Sequence, residues 1–162
     1  MKATFSKRMI RTLAAVVLTV TASASFGAST WNVDGCSVAA LTGSGCGTSG
    51  NRVTAAAYAV INDPVNSTFS SATLKQWGSD SGLGVAYSGE STTSPDHAMD
   101  NNIRTELIAF HFDQSVILDN ITMGWTQSDS DFTLMAYKGS GAPVIVGKTV
   151  ANLSSGWALV QN

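Results

Sequence analysis

Charged residues are scarce in this chain, since Asp, Glu, Lys and Arg together make up 12% of its 162 residues. Long amphipathic helices need a charged face opposite an apolar one, so this composition leaves little room for them. The chain is instead rich in Ser, Thr, Gly, Ala and Val, which is typical of exported β-proteins. It shows neither a repeat at a fixed period nor a coiled-coil heptad. The sequence therefore predicts an all-β protein.

Basic residues are especially few once the N-terminus is set apart. The whole chain has nine Lys and Arg against eleven Asp and Glu, and four of the basic residues (Lys2, Lys7, Arg8 and Arg11) lie at the start. The remainder keeps five basic residues against eleven acidic ones, a net charge of about −6. Such an acidic surface argues against nucleic acid and anionic membranes as partners, and it is compatible with divalent cations.

The first 24 residues have the pattern of a secretory signal peptide. Their basic start leads into the apolar run 13–20, which is too short to span a bilayer. Ala22 and Ala24 supply the small residues of a cleavage site, and we expect cleavage after Ala24. An uncleaved membrane anchor is the alternative. The predicted organisation is a signal peptide at 1–24 and a single β-sandwich domain at 25–162. The mature chain would have no transmembrane span and would reside in the periplasm, at the cell surface or outside the cell.

Only two cysteines are present, Cys36 and Cys46, and a flexible stretch containing Gly and Ser separates them. In an oxidising compartment, two cysteines so close in sequence most often form a disulfide. Closing so short a loop would stabilise the fold by about 2–3 kcal/mol in the chain-entropy account. A zinc site would need further Cys or His nearby, and a catalytic cysteine would need a neighbouring base. The sequence shows neither, so we expect a disulfide.

Short apolar runs and alternating patterns predict strands near 53–61, 67–77, 83–87, 106–112, 116–125 and 132–137. The last three follow one another on short connections, which predicts an antiparallel meander. The expected fold is a two-sheet antiparallel sandwich of jelly-roll type. Ser94 and Pro95 fit an N-cap and a first helical position, so one short helix is expected near 95–100. A last apolar run at 157–160 ends two residues before Asn162, and we expect that a final strand is lost by truncation or supplied from elsewhere.

The acidic segment 94–102 is the best candidate site in the sequence. Asp96, Asp100 and Asn102 lie within seven residues, and calcium prefers oxygen ligands from carboxylates, amides and carbonyls. Capping and turn chemistry explains the same residues without an ion, so a structural calcium is one of two interpretations. Asp129 and Asp131 form a second oxygen-rich turn, for which a solvated hairpin turn is the alternative.

Little in the sequence indicates catalysis, and we expect the protein not to be an enzyme. Glu90, Asp96 and Asp100 are available for glycoside hydrolysis, but no motif orients them. His97 and His111 are too few for a zinc site, and there is no G-x-S-x-G elbow. Tryptophans stack on sugar rings when exposed, but in small sandwiches they usually belong to the core, as we expect for three of the four. The four are Trp31, Trp77, Trp125 and Trp157.

The order of several motifs resembles the exosortase-dependent surface proteins of Gram-negative bacteria, which normally carry a PEP-CTERM sorting tail. The motifs are GLGV at 82–85, SPDHAMDNN at 94–102, ELIAFHFD at 106–113, ITMGW at 121–125, SDSDFTLMAYKGSG at 128–141 and SSGWALV at 154–160. The resemblance covers about half of the chain. It implies export to the surface or the extracellular matrix without catalysis. Separately, we expect extracellular polysaccharide or other surface proteins as partners. The sorting tail itself is not in this sequence, which would fit a truncated member.

A weaker resemblance is to galactose-binding-like jelly rolls, in which a short acidic turn before a strand often holds a structural calcium. Asp96, Asp100 and Asn102 occupy a comparable place ahead of the strand predicted at 106–112. This resemblance implies the alternative function, a calcium-stabilised carbohydrate-binding module.

Overall fold

A computed structural model of the chain describes residues 19–24, 27–32, 53–60, 66–76, 82–90, 98–99, 104–118, 120–124, 132–153 and 155–160. Strands dominate these residues, which confirms the all-β prediction. The strands are β1 (Thr19–Ala24), β2 (Gly27–Asn32), β3 (Val53–Val60), β4 (Phe69–Gln76), β5 (Leu83–Ala86), β6 (Thr105–Phe112), β7 (Met135–Tyr137) and β8 (Trp157–Leu159). The one helix in the described ranges, α1 (Val150–Leu153), has four residues.

The central sheet has four antiparallel strands in the order β5-β4-β3-β6. Strands β3, β4 and β5 follow one another in the chain, and β6 returns to lie beside β3. This arrangement is a Greek key, the unit from which jelly rolls and most β-sandwiches are built. Two further sheets have two strands each, β1 with β2 and β7 with β8.

Strand β4 changes partner along its length. Its first half pairs with β3, from Phe69 to Ala72, and its second half pairs with β5, from Thr73 to Gln76. Strands that pass from one partner to another form the corners of sandwiches. As a result, Cα atoms of β5 and β6 lie within 8 Å of one another, although these strands are at opposite ends of the strand order. The predicted two-layer sandwich is thus confirmed.

The main core lies between these two layers. On β3 every second residue is buried, and the inward residues are small: Val53, Ala55, Ala57 and Ala59. Larger buried side chains come from the β4–β5 layer, namely Leu74, Leu83 and Val85. Residues after β6 close the cluster with the partly buried Val116, Leu118, Ile121 and Met123. Small side chains on β3 leave room for the bulk of the facing layer, because protein cores are close-packed.

A second apolar cluster joins the central sheet to the C-terminal segment, by which we mean the described residues 143–153 and 155–160. It consists of the buried Val60, Phe69, Ile145 and Leu153, with Trp157 packed against it. Phe69 also makes two backbone hydrogen bonds to this segment: its N–H donates to the Lys148 carbonyl at 2.8 Å, and its carbonyl accepts the Gly147 N–H at 2.9 Å. Phe69 therefore fastens the C-terminal segment both by side-chain packing and through the backbone.

The predicted meander is wrong. Strand β6 pairs with β3, and β7 pairs with β8. The described residues between 116 and 124 form no strand of their own, and the side chains of Val116, Leu118, Ile121 and Met123 pack against the main core instead. The physical reason is that β6 completes the Greek key by taking the free edge of β3, along which all eight of its residues are in register.

The helix near 95–100 falls mostly outside the described residues. Of this range the structure describes Ala98 and Met99, which form a bend. The helix that is present, α1, follows Thr149, whose hydroxyl oxygen accepts the N–H of Asn152 at 3.1 Å. That contact is an N-cap, which satisfies one of the N–H groups left without an intrahelical partner.

Strand β1 belongs to the segment predicted as a signal peptide. It pairs with β2 from Thr19 opposite Asn32 to Ala24 opposite Gly27, so the expected cleavage position directly follows the last residue of β1. Cleavage after Ala24 would remove β1 and leave β2 without this partner. In the described ranges, no helix is both long and apolar enough to cross a bilayer.

Candidate functional site

Most of the site residues predicted from the sequence lie outside the described part of the structure. They are Cys36 and Cys46 of the expected disulfide, Asp96, Asp100 and Asn102 of the calcium interpretation, Asp129, Asp131, His97, Trp77 and Trp125. Trp31 lies in β2, where the structure describes the backbone. The disulfide and the calcium site therefore stay predictions.

Three predicted residues are described, and the structure does not bring them together as one site. His111 is exposed on β6, Glu90 follows β5, and Trp157 is half-buried on β8. The Trp157 ring lies 5.2 Å from the Tyr137 ring and packs on the second apolar cluster, as expected for a core tryptophan. The described ranges contain no group of three or more His, Cys, Asp and Glu that is arranged to hold a metal ion.

The most organised polar arrangement in the described part is a turn that follows β5. The N–H of Glu90 donates to the carbonyl of Tyr87 at 3.1 Å, which closes a four-residue turn. Gly89, the third residue, has φ +96, as a type II turn requires at that position. The Glu90 side chain folds back on the same turn, where its Oε2 accepts the Tyr87 N–H at 2.8 Å. The turn therefore fixes the Glu90 carboxylate in place.

Arg104, immediately before β6, completes this arrangement. Its Nη1 donates to Glu90 Oε1 at 2.5 Å, and its guanidinium carbon lies 5.3 Å from the centre of the Tyr87 ring. The side chains of Arg104 and Glu90 are 21% and 8% exposed, so the pair is largely shielded from water. A charge-assisted hydrogen bond and a cation–π contact thus act on the same guanidinium.

The contacts of this cluster serve the fold. One Glu90 oxygen accepts a hydrogen bond from Arg104, and the other accepts one from a backbone N–H. These contacts connect the end of β5 to the start of β6, and so they hold together the two ends of the connection that contains the acidic segment 94–102.

The middle of that connection is also anchored. Ala98 and Met99 are buried, and Met99 belongs to the main core cluster. Glu106, the second residue of β6, is fully buried and lies opposite Ala59 of β3. Burial of a carboxyl group is costly unless it is compensated, so Glu106 is an unusual occupant of a fully buried strand position.

Sequence reasoning missed Arg104, Tyr87 and the burial of Glu106. A signal for Arg104 was present, because it is the single arginine after residue 52 and it directly precedes an apolar strand. Its partner was not visible, since Glu90 is fourteen residues away and the turn that fixes it depends on Gly89.

Replacing Glu90 with glutamine tests the structural role of the pair. We expect the free energy of unfolding to fall by about 1–2 kcal/mol, because Arg104 loses its charged partner in a partly shielded position. Urea denaturation of the full-length chain measures the change. Asp113→Asn is the matched control, since Asp113 is an exposed acid, and it should change stability by less than about 0.5 kcal/mol. Equal effects of the two substitutions would show that the Glu90–Arg104 ion pair does not stabilise the connection between β5 and β6.

Comparison with known proteins gives no match: no family model, no curated protein and no solved structure is significantly similar to the chain.

Proposed function

We propose that this chain is an exported, non-enzymatic protein of the bacterial cell surface or extracellular matrix. The observation that carries the proposal is the secretory pattern of residues 1–24 in front of an all-β domain. A basic start, a short apolar run and small residues at Ala22 and Ala24 form the pattern that export machinery and signal peptidases recognise. The motif order that resembles exosortase-dependent surface proteins supports the same location.

The charge and the fold agree with this proposal. Beyond the leader the chain carries an excess of about six negative charges, which favours solubility outside the cell and disfavours nucleic acid as a partner. The described charged cluster consists of groups that satisfy one another within the fold. Extracellular polysaccharide or other surface proteins are the partners that we propose for a protein of this kind.

Export is tested by expressing the full-length chain in a Gram-negative host and separating cytoplasm, periplasm, outer surface and medium. We expect the protein outside the cytoplasm, with Ser25 as its first residue by N-terminal sequencing or intact mass. A Val16→Asp substitution should hold it in the cytoplasm with the leader attached, because a charge interrupts the apolar run that targeting needs.

The matched control for that variant is Val16→Leu, which keeps the run apolar and should be exported like the original chain. Full-length protein found in the cytoplasm with residues 1–24 still attached would contradict the proposed function. Export without cleavage would instead support the membrane-anchor alternative for the leader.

The second candidate, a calcium-stabilised carbohydrate-binding module, is favoured by the acidic segment 94–102, the centre of which is anchored by the buried Ala98 and Met99. If it is correct, calcium at about 100 times its Kd should stabilise the fold by about 2.7 kcal/mol and raise Tm by several degrees. Chelator should reverse the shift, and Asp100→Asn should abolish it while Asp113→Asn leaves it intact. A Tm that is unchanged by both calcium and chelator rules this candidate out.

A further inference from the structure

We draw no further inference here: the strongest candidate, the exposed apolar side chains of Val144, Val146 and Leu159 near the C-terminal end of the chain, carries nothing, because nothing in the described part of the structure shows what covers them.

Discussion

Replacing Ala57 with leucine is expected to destabilise the full-length chain by about 2–3 kcal/mol, a large effect for a single added side chain. Ala57 is buried on the face of β3 that meets the β4–β5 layer. A leucine there adds three carbon atoms where the facing Leu74, Leu83 and Val85 already fill the space. The two layers would have to move apart or adopt strained rotamers. Chemical denaturation with linear extrapolation measures the change.

The matched control lies one residue earlier on the same strand. Ala56 is exposed, because successive residues of a strand point to opposite faces. Ala56→Leu therefore makes the same chemical change with the same local strand propensity, and it should alter stability by less than about 0.5 kcal/mol. The difference in the free energy of unfolding between the two variants therefore measures how tightly the two layers pack at Ala57. Equal effects would mean that Ala57 does not face a packed layer.

Phe69→Ala is expected to have the largest effect. It should lower the free energy of unfolding by about 3–5 kcal/mol, which is typical of phenylalanine truncation in a core. Phe69 is buried and forms the second apolar cluster together with Val60, Ile145 and Leu153. The cavity would open where the C-terminal segment meets the sheet. We therefore expect backbone amides of the C-terminal segment, including Gly147, to exchange hydrogen faster in this variant than those of β3 and β6.

Ser71→Ala controls for this experiment, because Ser71 is an exposed residue of the same strand and of the same face as Phe69. It should leave both the stability and the exchange pattern close to those of the original chain. If Phe69→Ala instead accelerated exchange equally in all parts of the molecule, the C-terminal segment would not be a separately attached unit. A decrease in the free energy of unfolding of less than about 1 kcal/mol would contradict the packing of Phe69 in the second apolar cluster.

The existence of the strands could be predicted from the sequence because alternation reveals which face of a strand is buried. The apolar run 53–61 was predicted as a strand and contains β3, and the apolar strand 106–112 coincides with β6 apart from its first residue. The pairing of the strands was harder to predict from the sequence. Alternation identifies a buried face but carries no information on the neighbour, so β6 was assigned to the following segment instead of to β3, about fifty residues earlier.

The polar contacts were harder still to predict. Glu90 and Arg104 meet because the Tyr87–Glu90 turn and the start of β6 are placed by the Greek key, which local sequence does not encode. The cap at Thr149 could have been found, since threonine is a favoured N-cap, but a four-residue helix gives almost no periodic signal. Contacts within one short segment could therefore be predicted from the sequence. Contacts between two segments that are distant in the sequence could not.

The most direct test of the sandwich is a methyl-labelled nuclear Overhauser experiment on the full-length chain. If β4 turns the corner between layers, methyl groups of β5, on Leu83 and Val85, should show cross-peaks to side chains of β6 such as Ile108. An open, flat sheet would place these strands three strand spacings apart, about 14 Å. Cross-peaks confined to the neighbouring pairs β4–β5 and β3–β6, with none between β5 and β6, would contradict the two-layer fold.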